Sequence, residues 1–265
     1  MRRILDHIAR RRDRLAAIGD QALVGLANFA ALAAFARWLP RDDFAAIGVA
    51  IAIHFVIFGF HRAAIVMPYI LSAKDRPEPV PRSAWAWLAM RVSLVVALLL
   101  FVAAVVLALA GASVFAVKCA LFAALQSPAL LLQEFAKRWL YQHQRVGSVL
   151  IASATGFALT IAGLGLLYLL GAPPMLASAI LGASALIVAL LAFLSCRPSR
   201  DGWSIGAASL IGRRGEFTLW QSIAHIPFIL YNNGYPLLLA LITGPAATAG
   251  YTALRTLLSP SISLI

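Results

Sequence analysis

Arg255 has the most chemistry to explain in this chain. It stands about nine residues, or roughly 13 Å along a helix, past the uncharged turn Thr243-Gly244-Pro245, near the centre of an apolar run. An ionisable group at that depth costs about 2.5 to 3.5 kcal/mol on insertion scales, so it needs a partner, a wet cavity or a route to the surface. No carboxylate lies near it in sequence, and its planar fork suits the oxygens of a phosphate. Arg62 and Arg91 sit about 10 Å in from the basic side of their runs. There each can stretch to the interface or line a cavity open to that side.

Other polar groups fall inside apolar runs. Gln21, Gly25 and Asn28 share one helix face by their i, i+4, i+7 spacing, with Asp20 at its end. That face fits either a substrate path or close helix packing through Gly25 with an interhelical hydrogen bond from Asn28. Lys118 lies about five residues from the end of its run and is expected to snorkel outward. Glu134 has Lys137 and Arg138 at i+3 and i+4, the spacing of a helical ion pair. His54 and His61 are two turns apart with no third ligand nearby, so no metal site is expected. Pro227 and the stretch Asn232-Asn233-Gly234-Tyr235-Pro236 predict a kinked or locally unwound helix, a feature of binding sites and hinges as well as of plain shape.

The elements that position these residues are membrane spans. The chain is 62% apolar and 12% charged over 265 residues, with mean hydropathy +0.88, which excludes an ordinary soluble domain. Runs such as Val92 to Ala110, Leu150 to Leu170 and Met175 to Cys196 hold no charge and are long enough to cross a bilayer. The pattern predicts an all-α, polytopic transmembrane bundle with spans near 17–38, 43–71, 83–110, 114–136, 147–170, 174–196 and 216–242, and an eighth starting near 247. It divides the chain into a basic segment 1–16, which fits either an interfacial helix or a plain orientation signal, a six-helix bundle 17–196, a linker 197–215 and two further spans in 216–265. The apolar run at the end has no closing flank, so a fragment or an unusually short last helix is expected.

The net charge of +12 is read loop by loop rather than as a nucleic-acid signal. Most of the 22 basic residues fall at the amino terminus, at 74–82, at 137–145 and at 197–214, whereas the alternate turns at 111–113, 171–174 and 243–245 are uncharged. The positive-inside rule then makes the amino terminus cytoplasmic. Cys119 and Cys196 lie in apolar runs, and neither a disulfide nor a cofactor is expected.

Gly19-Asp20-Gln21-Ala22-Leu23-Val24, Asn28-Phe29 and Ala36-Arg37-Trp38-Leu39 with Asp42-Asp43-Phe44 resemble the first helix and outer turn of bacterial polysaccharide flippases. These are the Wzx-like members of the multidrug/oligosaccharidyl-lipid/polysaccharide exporter superfamily. Gln133-Glu134-Phe135-Ala136-Lys137-Arg138, Tyr235-Pro236-Leu237-Leu238-Leu239 and Gly244-Pro245 through Leu254-Arg255 are similar to later stretches of that family. The resemblance implies two six-helix bundles around a central cavity, of which this chain would hold the first and the start of the second.

It further implies an inner-membrane transporter that flips an undecaprenyl diphosphate-linked oligosaccharide to the periplasmic leaflet. Its partners would be that lipid-linked oligosaccharide, membrane lipids and the polysaccharide polymerase or glycosyltransferases of the same pathway. Arg255, Arg62, Arg91, Asn28 and Gln21 are the candidate substrate-binding residues. A small-solute exporter of the same superfamily stays open, but it would need an apolar or acidic cavity. A membrane-embedded polymerase or glycosyltransferase would present carboxylates or a large loop for acid–base chemistry, and no catalytic site of that kind is expected. The orientation is tested by cysteine labelling: cysteines at Ser113 and Ala172 should react from the periplasm, and those at Ala73 and Ser199 only from the cytoplasm. Reversed labelling would overturn it.

Overall fold

The computed structural model describes residues 2–72, 81–205 and 215–262. Lys74, Arg76, Arg213 and Arg214, the last residues 263–265 and the side chains of the amino-terminal arginines lie outside that description. The described residues form helices and no strand. Eight long helices follow one another: α1 (Arg2–Trp38), α2 (Arg41–Ser72), α3 (Ser83–Leu109), α4 (Val114–Gln142), α5 (Val146–Leu170), α6 (Pro174–Ser195), α7 (Gly215–Ile242) and α8 (Pro245–Ile262). Six of them, α1 to α6, are long and apolar enough to cross a membrane, which is compatible with a multi-pass membrane protein. In α7 the apolar part is shorter, Asn233–Ile242.

Helix breaks follow from local chemistry. Gly171 and Gly244 end α5 and α7 with φ of 60° and 83°, in the left-handed region that a side chain disfavours. Pro174 then opens α6 and Pro245 opens α8, where a missing N–H costs nothing. Ser113 caps α4 by accepting from the Ala116 N–H at 3.3 Å. Contrary to the expectation of unwinding, α7 runs helical through both Pro227 and Pro236. Within α2 one turn, Arg62–Val66, widens to π geometry, and the Met67 N–H bonds to the Arg62 carbonyl five residues back. Pro68 supplies a reason: it has no N–H for the Ala64 carbonyl, and its ring crowds that oxygen.

The turns at Gly111, Gly171 and Gly244 and the connections after Trp38 and Gln142 are short, so the helices they join run antiparallel. The near end of the bundle is taken as the one where α3 begins and α4 ends, and the far end as the one with the turns at Gly111, Gly171 and Gly244. The hub is α4, which packs against α6, α3 and α2, while α1 lies along α5. Both α7 and α8 lie on α2, and α8 also meets α1. At the near end, Tyr69, Trp85, Phe135, Trp139, Leu140 and Phe193 form one apolar cluster. At the far end, Phe35, Phe44, Ile47, Phe122, Leu164 and Ala249 form the other, which joins α8 to α1 and α2. The exposed side of α3 (Leu94, Val95, Leu98, Leu99, Val102, Val106) is uniformly apolar, as a lipid-facing surface should be.

Gly182 brings α6 onto α4 so closely that a Cβ there would run into the backbone carbonyl oxygen of Leu125. Backbone cannot step aside, so Gly182→Ala should lower stability by about 1 to 3 kcal/mol, the usual cost of overpacking. Gly25→Ala, where a Cβ meets nothing within 4 Å, should be neutral. Thermal unfolding in detergent compares the two, and equal midpoints would refute the close approach.

Candidate functional site

The polar residues sort into three groups. The first is a buried ionic knot at the near end. The Asp20 carboxylate on α1, 1% exposed, accepts from the Lys137 Nζ of α4 at 2.8 Å and from the Tyr141 hydroxyl at 2.9 Å. The Ser153 hydroxyl of α5 and the neighbouring Gln21 Nε2 also donate to it. With both oxygens engaged, Asp20 is a structural anchor of three helices rather than a free acid or base. Of the two partners that sequence spacing offered Glu134, Arg138 pairs with it at 2.9 Å, one turn on, and Lys137 goes to Asp20 instead. Lys118 is likewise corrected: its Nζ does not simply reach outward but meets Asp43 of α2 at 2.5 Å, at the far end.

The second group lies where α7 and α8 pack on α1 and α2. The Arg255 guanidinium donates to the Asn233 side-chain oxygen at 3.1 Å, across the α7–α8 hairpin. Asn233 is a neutral acceptor, so it orients the arginine without neutralising it. On α1, Gln21 and Asn28 are exposed, and open space next to Gly25 rules out close packing there. Asn28 makes no hydrogen bond among the described residues. Arg62 is half-buried at the start of the π turn, the stretch of α2 that packs on α7. These candidates therefore stand on four neighbouring helices, α7 and α8 packed on α2 and α8 also on α1, with α8 closed against α1 and α2 at the far end and the near half of α1 uncovered on its polar face.

The third group is turned to the segment after α6. Arg91 is on α3, which packs on the near part of α2 around Tyr69 and Trp85, and its guanidinium bonds the Trp203 carbonyl and stacks on the Trp203 ring, 4.4 Å from its centre. That contact ties α3 to the segment after α6, as does the bond from the Trp87 indole to the Ser199 carbonyl at 3.0 Å. His54 and His61 are buried in α2, where His54 packs beside Phe55 and Phe58. No group of three metal-binding side chains occurs among the described residues.

Comparison of the chain with protein-family models, with curated proteins and with solved structures returns no match. The chemistry of the site therefore rests on its own residues.

The ionic knot generates a test. Asp20→Asn or Lys137→Met leaves one buried charge unpaired, and each should cost about 3 to 5 kcal/mol. The double variant should cost much less than the two together. Simple additivity in detergent thermal unfolding would show that the pair is not coupled.

Proposed function

We propose that the chain is part of a transporter that moves a lipid-linked oligosaccharide, carried on undecaprenyl diphosphate, across a bacterial inner membrane. The observation that carries this reading is the Arg255–Asn233 pair, about 16 Å along α8 from the Gly244 turn. There, among the described residues, a cation has only a neutral protein partner, and a diphosphate would supply the missing negative charge. The resemblance of the Asp20, Glu134 and Tyr235 stretches to polysaccharide flippases points the same way. With the far end packed and the polar face of α1 open, Gln21, Asn28 and Arg62 would receive the polar head from the cytoplasmic side while the polyprenyl tail stayed in lipid. Return to an outward-open state would come from rocking α7 and α8 against α1 and α2.

A cationic lining disfavours the export of cationic drugs. Asp20, held by four donors, is poorly placed for acid–base catalysis.

Arg255→Ala should cut translocation of a lipid-linked oligosaccharide in proteoliposomes by about tenfold or more at unchanged protein abundance, the loss of one charge-assisted contact. Arg255→Lys should recover part of it, since an ammonium keeps the charge but not the fork. Arg91→Ala should translocate normally. Full translocation by an abundant Arg255→Ala protein would end this reading of the site.

A further inference from the structure

The α7–α8 hairpin also carries aromatic rings that binding a diphosphate leaves unused. Tyr235 and Tyr251 stack across the two helices, with ring centroids 6.2 Å apart and planes 30° from parallel. Tyr235 is 52% exposed, and Tyr231, one turn earlier on α7, is 75% exposed. Tyr251 and Arg255 are four residues apart and so share a side of α8, while Asn233, 4% exposed, holds Arg255 from α7. Counted from the Gly244 turn, Tyr251 lies about 10 Å along α8 and Tyr235 about 13 Å along α7, with the Arg255–Asn233 pair farther in, at about 16 Å.

Tyrosines belong at the headgroup level, where the ring meets lipid and the hydroxyl meets water. This pair is deeper than that. Among the described residues neither hydroxyl has a hydrogen-bond partner and Arg255 has no counter-ion, whereas the exposed side of α3 carries leucine, valine and phenylalanine, none with a polar group. Half-open rings with unpartnered hydroxyls beside that arginine fit a ligand that offers an apolar ring face, hydroxyl groups and negative charge together. A sugar attached to a diphosphate has all three. The C–H face of the pyranose lies on the electron-rich ring, its hydroxyls meet the phenol groups, and the diphosphate reaches Arg255.

We propose that Tyr235 and Tyr251 form a stacking platform for the sugar nearest the diphosphate, with Arg255 and Asn233 as its charged floor. The proposal rests on the diphosphate-carrier reading given above and names the sugar subsite within it.

The test uses the full chain in lipid nanodiscs. The probes are farnesyl diphosphate and the same lipid diphosphate bearing glucose, galactose, N-acetylglucosamine or rhamnose. At least one sugar-bearing probe should bind about tenfold more tightly than farnesyl diphosphate. Tyr235→Ala, Tyr251→Ala and the corresponding leucine variants should erase that preference and leave farnesyl diphosphate binding unchanged, which also shows that they fold. Tyr235→Phe and Tyr251→Phe should keep most of it, and Arg255→Ala should weaken every probe. A preference that survives in the alanine or leucine variants means the rings face lipid and overturns the platform. Equal binding of all probes by the unmodified chain overturns the platform and leaves the carrier reading standing. Failure of every probe to bind overturns both.

Discussion

A charge held within an apolar bundle must meet its opposite, and in this protein that requirement converges on α4. Lys118 near one end of the helix holds Asp43 of α2, and Lys137 near the other holds Asp20 of α1. The two bonds differ in kind. The far one is partly open to solvent and is weakened by it. The near one is closed over by Tyr141 and Ser153, so separating its partners would strand two charges in a dry interior. The helices that carry the candidate site are thereby tied to a hub that takes no part in it. The apolar clusters at the two ends fill in around these ties.

Against that fixed hub, α7 and α8 make a different kind of surface. Their exposed residues include Tyr231 and Tyr235 among leucines, where α3 exposes leucine, valine and phenylalanine, none with a polar group. Neither is among the described helices long and apolar enough to span on composition. Their contact with α2 is intimate at one point: a side chain at Gly48 would strike Thr252. Closure at the far end thus depends on a missing Cβ, and the polar face of α1 lies free of such contacts.

Hydropathy and loop charge were enough to read the helical class, the first six helices and the turns between them, because lipid imposes length and charge rules that a single chain displays directly. The partners of the charges were not legible in the same way. Glu134 had both Lys137 and Arg138 within reach along its helix; the pair with Arg138 forms as the spacing indicated, while Lys137 goes to Asp20 of α1, a partner that local spacing cannot name. A signal was present: Asp20 and Lys137 sit at similar depth from the basic end, as Asp43 and Lys118 do from the other, and opposite charges at equal depth are natural partners. Arg91 looked like Arg62 by depth alone. Only its position on α3, facing Trp203, separates them. The prolines of α7 pointed to a kink or local unwinding, and the helix runs through both without unwinding.

The widened turn of α2 acts on the helix as a phase shift. One residue more than an ordinary turn is spent there, so everything from Met67 to Ser72 is rotated relative to the segment that meets α4 and α8 farther up. Tyr69 owes its place beside Phe135 and Trp139 to that offset. Loss of a single residue between Arg62 and Val66 would remove the extra one and leave Tyr69 in phase with the cluster, whereas a change at Pro68 that let the same number of residues wind as regular helix would swing Tyr69 by about 100°, off the aromatic cluster. The near half of this helix therefore depends for its facing on the proline that holds the wide turn open.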